Sequence, residues 1–291
     1  MFKGSMVALV TPFKKGKIDE ASLKSLVEFH IKNGTSALVP CGTTGESATL
    51  SYEEHDRVIE LTVKYAAGRV PVIAGTGANS TEEAIMLTKK AKAAGADASL
   101  QVSPYYNRPT QKGLYLHFKA IADAVDIPII LYNIASRTGV NIEPETFARL
   151  SKDCPGIIGV KEASGSLEQM SRIKNLLPEN YLLISGDDAL TLPVMAIGGV
   201  GVISVVANII PRDVADMCAA FEKGDIAKAR KLHYKMLSLV KAMFIETNPI
   251  PVKTAMGLMG MIDPEIRLPM CEMMPENREK LVRELKAYKL I

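Results

Sequence analysis

The chain lacks the spacings that mark several classes of protein. Its four cysteines, Cys41, Cys154, Cys218 and Cys271, lie far apart with no CxxC pair. Neither a zinc knuckle nor a redox pair is supported, and a reducing cytoplasm is the simplest setting. The four histidines, His30, His55, His117 and His233, show no HExxH or other paired spacing, so no metal site is expected. Charge of one sign is also lacking. The 35 basic and 32 acidic residues are mixed along the chain, and a net charge of +3 leaves no nucleic-acid patch. The longest apolar run, around Met195–Val206, is broken by Gly198, Gly199 and Gly201 and falls short of a membrane span. The run Met6–Val10 stops at Thr11-Pro12, too soon for a signal-peptide core. Gly75-Thr76-Gly77-Ala78-Asn79-Ser80 lacks the third glycine of a dinucleotide loop, and neither a GxxxxGK[ST] element nor a nucleophile elbow occurs. NAD binding and a phosphate loop are therefore rejected.

What remains is an ordinary globular composition, 47% hydrophobic and 23% charged over 291 residues. Short apolar runs alternate with longer amphipathic segments. Strands are predicted at Met6–Val10, Ala37–Pro40, Pro71–Gly75, Ala98–Ser103, Pro128–Tyr132, Ile157–Lys161, Tyr181–Ser185 and Gly201–Val206. Helices are predicted between them, among them Ser51–Ala66 with Ser51 as N-cap and Glu54 three residues later, Thr81–Ala94 ending at Gly95, and Ala189–Ile197. About eight βα units without a linker predict an α/β fold, a (β/α)8 TIM barrel over residues 1–224. Residues 225–291 read as a C-terminal helical appendage, with helices at Ile226–Glu246, Pro251–Met261 and Glu276–Tyr288.

One stretch stands out. Ile157–Ser164, IIGVKEAS, places Lys161 inside what reads as a buried strand. Alternation puts Gly159, Lys161 and Ala163 on one face and Glu162 on the other, and the small neighbours leave room around the amine. Burial penalises an ammonium ion, and a neutral amine is a nucleophile. The plain alternative is a lysine whose stem is buried and whose amine reaches solvent or a carboxylate such as Glu162. In a barrel the chemistry gathers where strands end, and other reactive groups follow strand ends. Gly42-Thr43-Thr44-Gly45-Glu46 is a glycine-flanked turn whose hydroxyls and N–H groups suit a small carboxylate, or it is only a connection. Tyr132 offers a phenol for proton transfer and Arg137 a guanidinium for a carboxylate, or one is core and the other surface. Tyr105 and Tyr106 fit a site or an interface equally well.

Five blocks then resemble a known family: GTTGES at Gly42–Ser47, GTGANST at Gly75–Thr81, PYYNRPTQ at Pro104–Gln111, YNIASRTG at Tyr132–Gly139 and GVKEASG at Gly159–Gly165. In order, and over essentially the whole chain, they look like dihydrodipicolinate synthases, within the pyruvate-dependent class I aldolases that include N-acetylneuraminate lyase. The resemblance implies a lyase of lysine biosynthesis that condenses pyruvate with L-aspartate 4-semialdehyde. It implies that Lys161 forms the Schiff base with no metal or organic cofactor needed, and that Tyr132, Thr43 and Tyr106 relay protons, with Tyr106 contributed across a dimer interface. It further implies that Thr44 binds the pyruvate carboxylate, Arg137 recognises the second substrate's carboxylate, and Gly186 and Ile203 line the pyruvate pocket. A homotetramer of two tight dimers is implied as well. Positions matching an L-lysine pocket at that interface are Ala48, His55, Asn79, Glu83 and Tyr105, with Tyr52 where some members have histidine. An aldolase acting on 2-keto-3-deoxy sugar acids or on N-acetylneuraminate is the alternative, and a non-catalytic sensor on the same scaffold is a third.

Overall fold

The computed structural model describes residues 2–291. Eight short apolar segments form parallel strands: β1 (Gly4–Ala8), β2 (Ala37–Val39), β3 (Ile73–Gly75), β4 (Ala98–Val102), β5 (Ile129–Asn133), β6 (Ile157–Glu162), β7 (Leu182–Ser185) and β8 (Gly201–Ser204). Their ladder runs β2-β1-β8-β7-β6-β5-β4-β3. The ring is closed by a Leu38–Val72 bridge and by bonds from Leu38 N to Pro71 O (3.0 Å) and Gly75 N to Pro40 O (3.0 Å). This is the TIM barrel expected, with its strands joined through helices on the outside. The ends differ from expectation by at most two residues. At Met6–Val10, for example, the strand starts earlier, at Gly4, and stops at Ala8.

Strand alternation sorts the core into two layers. Met6, Ala8, Val39, Ile73, Leu100, Ile130, Tyr132, Ile184 and Ile203 fill the barrel. Leu131, Val160 and Leu183 point outward against helix residues such as Phe118, Phe147, Met170 and Ile173. Helix starts follow their capping residues. Ser51 caps Tyr52–Ala66 with both bonds of a capping box to Glu54, as the Ser-x-x-Glu spacing dictates. The segment read as one helix over Ala189–Ile197 is a 3-10 turn, Asp188–Leu190, followed by a helix at Thr191–Ala196. Pro193 sits in that helix's first turn, where its missing N–H costs nothing.

The C-terminal helices Ile226–Ala242, Ile250–Leu258 and Pro275–Ala287 pack Met236, Leu239, Val252, Met256, Leu281 and Leu285 into one cluster with barrel residues Val7, Leu9 and Leu38. The first of them ends at Ala242, short of the expected Glu246, and the chain leaves it to reach the barrel mouth at Asn248. A small hairpin, Phe13–Lys14 paired with Lys17–Ile18, was not anticipated. Its two-residue turn, Lys15-Gly16, takes positive φ at both positions (54° and 77°), the geometry a tight hairpin demands. Among the described residues no helix is long and apolar enough to cross a membrane.

Candidate active site

Lys161 is 6% exposed, next to the end of β6, and Glu162 is fully buried beside it. The parallel register pairs Lys161 with Tyr132 on β5 and with Ile184 on β7. Its Nζ lies 4.1 Å from the centroid of the Tyr132 ring, and none of the ion pairs among the described residues involves it. Glu162 does not reach it. Its carboxylate accepts from Asn133 Nδ2 (3.0 Å), Gln169 Nε2 (3.0 Å) and Ser164 N (2.7 Å). Alternation has therefore left a buried amine without a carboxylate next door, an arrangement that costs stability and marks a candidate for chemistry.

The room expected around the amine is smaller than alternation suggested. A Cβ at Gly159 would lie 2.6 Å from Leu182 Cβ and 2.7 Å from Leu182 O. The missing side chain thus lets β7 come close to β6 rather than leaving free space. Gly186, just past β7, permits a similar approach: a Cβ there would lie 2.6 Å from Ala163 Cβ, and its N–H donates to Glu162 O at 2.8 Å. Ile203 is buried in the barrel cluster that also holds Tyr132 and Ile184.

Thr43 and Thr44 sit in the turn after β2. The N–H groups of Gly45, Glu46 and Ser47 are spent on closing it, to Gly42 O, Thr43 O and Gly42 O. Those of Thr43 and Thr44 make no bond among the described residues, so two backbone donors remain beside two hydroxyls. Thr44 is buried and its Oγ1 accepts from Asn248 Nδ2 at 3.0 Å. Arg137 rides on a helical turn, Ala135–Thr138, ended by Gly139 at φ 75°. Its Nη2 donates to Asn248 O at 3.2 Å.

Thr43, Tyr132 and Arg137 share a cavity of about 770 Å³. Ala48, His55, Glu83 and Tyr105 line the same cavity, as does Tyr52. Within one chain the two groups of candidates are therefore continuous. Burial pushes His55 below the usual histidine value, and its Nε2 meets Gly75 O at 2.9 Å. Burial raises the Tyr105 phenol, and the charge of Glu83 raises that of Tyr52. Asn79 bonds from its Nδ2 to Tyr105 O at 3.2 Å. Tyr106 stands apart from all of these: it is 91% exposed and held at φ 72°, strained for a tyrosine. One chain does not bring Tyr106 to Thr43 and Tyr132. Among the described residues no three His, Cys, Asp or Glu side chains converge as metal ligands.

Sequence reasoning passed over the support of the Gly42–Ser47 turn. Glu46, at φ 53°, places Oε1 2.6 Å from Lys253 Nζ and accepts the N–H of Arg267 on Oε2 at 3.1 Å. The Arg267 guanidinium grips both oxygens of Glu54 at 2.6 Å and also donates to Thr49 O (3.0 Å) and Gly16 O (2.8 Å). Both cations lie over the Phe13 ring, at 4.3 and 4.1 Å from its centroid.

The model of the dihydrodipicolinate synthetase family matches residues 1–288. The chain belongs to that family. A 4-hydroxy-tetrahydrodipicolinate synthase from Thermodesulfovibrio yellowstonii is 60% identical over 291 residues, covering 100% of each chain. The crystal structure of the chloride-inhibited dihydrodipicolinate synthase from Acinetobacter baumannii complexed with pyruvate is 48% identical, with a TM-score of 0.97 and coverage of 100% of both chains. The enzyme from Cyanidioschyzon merolae with lysine bound is 42% identical, with a TM-score of 0.96, covering 100% of this chain and 99% of that one. Members of this family are lyases, and the barrel described above is the family's fold.

Proposed function

We propose that the chain carries the activity for which its relatives are named, the condensation of pyruvate with L-aspartate 4-semialdehyde in lysine biosynthesis. The observation that carries the reading is Lys161, buried beside a phenol with no carboxylate to neutralise it. Its amine adds to the ketone carbon of pyruvate and water leaves, giving an iminium. The iminium draws electrons from the adjacent methyl group, which loses a proton and becomes an enamine. The enamine carbon bonds to the aldehyde carbon of the second substrate. That substrate's own amine then attacks the iminium carbon, closes the ring and releases Lys161.

Tyr132 and Thr43, on the cavity wall, move the protons, and the partner subunit's Tyr106 completes the relay. The exposure and strained backbone of Tyr106 support its service to a second copy, in a dimer or a tetramer of two dimers. Thr44 and its neighbouring N–H groups take the pyruvate carboxylate, and Arg137 takes the carboxylate of the semialdehyde. Gly186 and Ile203 bound the pyruvate pocket, and the enzyme works in the cytoplasm. Free L-lysine inhibits it from the region of the cavity lined by Ala48, His55, Glu83 and Tyr105, with Asn79 beside Tyr105. A relative with lysine bound and the phenols around Glu83 support this.

The test is borohydride reduction in the presence of pyruvate, followed by peptide mass mapping. An adduct on Lys161 in the wild type and none in Lys161→Ala is expected; no adduct in the wild type overturns the reading. Rates with aspartate semialdehyde against 2-keto-3-deoxy sugar acids then decide between synthase and sugar-acid aldolase, since only the former needs Arg137 for a second carboxylate.

A further inference from the structure

Asn248 touches both groups assigned to carboxylate recognition, from a segment of the chain outside the barrel. It lies between helices Ile226–Ala242 and Ile250–Leu258 and is 5% exposed. Its side-chain Nδ2 donates to Thr44 Oγ1 at 3.0 Å, and its main-chain oxygen accepts from Arg137 Nη2 at 3.2 Å. The first bond fixes more than a position. A threonine hydroxyl has one proton and two lone pairs. A donor already on the oxygen leaves that proton free for something else, and Thr44 also keeps an unspent N–H. Thr44 then presents two donors, which is what a carboxylate requires. If the amide were turned over, Oδ1 would accept the Thr44 proton and the residue would lose one of them.

The amide is held in a costly state. Its Oδ1 is shut from solvent and has no partner. A buried acceptor left unpaired destabilises a fold, and one beside a proposed binding group has a functional explanation ready. The connection is anchored on its far side too, because Lys253, five residues on, pairs with Glu46, two residues past Thr44.

We propose that Asn248 is a positioning residue for carboxylate recognition: its amide aims the Thr44 hydroxyl proton at the pyruvate carboxylate, and its main-chain oxygen anchors Arg137 for the second substrate. This rests on the roles of Thr44 and Arg137 given above. The side chain acts on the first half-reaction only, since Arg137 is held by main chain that any substitution retains. In a reaction that forms a covalent intermediate before the second substrate binds, kcat/KM for each substrate reports its own half.

The test uses Asn248→Ala and the isosteric Asn248→Asp in the full-length chain. Asp keeps the shape but carries only acceptors, so it takes the Thr44 proton and adds a negative charge. Expected are a fall of about tenfold in kcat/KM for pyruvate in Asn248→Ala and a larger fall in Asn248→Asp, matching the loss of a hydrogen bond to a charged group. In Asn248→Ala, kcat/KM for aspartate semialdehyde stays within about twofold of wild type. Borohydride trapping of Lys161 reaches the wild-type end point at higher pyruvate. Wild-type kcat/KM for pyruvate in Asn248→Asp, with melting temperature unchanged, overturns the inference while the Lys161 adduct stands. An equal fall for both substrates, or a lowered trapping end point, overturns it in favour of a general structural role. Failure of the wild type to form any adduct is a failure of the underlying reading and is told apart by that control.

Discussion

Lys253 Nζ and Glu46 Oε1 lie 2.6 Å apart with both side chains almost wholly removed from solvent, at 1% and 3% exposure. The pair ties the C-terminal helix Ile250–Leu258 to the turn that carries Thr43 and Thr44. Burial pushes the Lys253 ammonium below its usual value, and Glu46 draws it back upward. Lys253→Met leaves Glu46 with the Arg267 N–H as its remaining partner, and removal of one member of a buried pair costs about 3–5 kcal/mol. Replacing both, Lys253→Met with Glu46→Gln, removes the stranded charge and is expected to recover a large share of that loss. Urea denaturation of the two singles and the double checks this. A double variant as unstable as the sum of the singles would show that the ion pair itself contributes nothing.

His30 gives a pH dependence of known sign. It is fully buried with Nδ1 3.2 Å from Thr35 Oγ1 and Nε2 unpartnered, and burial holds its pKa down at about 3. The unfolded chain binds the proton near the ordinary value of about 6.5. Between these values the unfolded state holds more protons, so the stability His30 contributes is complete above about pH 6.5 and is lost as pH falls toward 3. The slope is up to about 1.4 kcal/mol per pH unit. His30→Gln should flatten the stability profile between about pH 6 and pH 4 relative to wild type, in denaturant melts at fixed salt. Parallel profiles in that window would rule the effect out.

Tyr106, proposed above as a relay member, is 91% exposed and is absent from the cavity wall that carries Thr43 and Tyr132. Its loss as a proton carrier in Tyr106→Phe is expected to lower kcat about a hundredfold, within the range for a general acid–base group. Trapping of pyruvate on Lys161 should continue, because iminium formation begins at a different atom. Under the proposed relay the group comes from a partner, so the specific activity of wild type should also fall on dilution into the range where sedimentation shows monomer. Activity that survives dissociation undiminished would remove Tyr106 from the relay.

The barrel was legible because it is written in short-range signals. Eight apolar runs alternate with capped amphipathic segments, and even the Ser51–Glu54 capping box shows in the letters. Strand alternation likewise sent Lys161 and Glu162 to opposite faces, as the partners of Glu162 bear out. What could not be read was contact between distant segments. Asn248 and Thr44 are 204 positions apart, and in the letters Asn248-Pro249 shows only as a break between helices. Arg267 and Phe13 have no local pattern that brings them together. The hairpin at Phe13–Ile18 had a signal, glycine at the second turn position, but its strands are too short to show alternation. Gly159 misled for a related reason: a glycine in a strand looks like space, and only the neighbouring strand reveals that the space is taken.

Glu83 is the residue on which the proposed lysine site can be tested. Its carboxylate faces the Tyr52 phenol, which it pushes above the usual value, and it acts on Tyr105 as well. An acceptor-only group bordered by phenols suits an ammonium ion, whose three donors it can share with the phenol oxygens. Ligand here biases catalysis only by binding one state of the site better than another, and the continuity of this cavity with Thr43, Tyr132 and Arg137 supplies a short route for it. Millimolar-range L-lysine should lower the initial rate at limiting pyruvate. In Glu83→Gln, which keeps the shape and removes the charge, the lysine concentration for half inhibition should rise about tenfold, the equivalent of roughly 1.4 kcal/mol for one charge-assisted contact. Each curve is normalised to its own uninhibited rate, so that altered turnover does not mimic altered binding. Equal half-inhibition in both proteins would place the lysine ammonium elsewhere, and no inhibition of the wild type would leave Glu83 as a partner for Tyr52 alone.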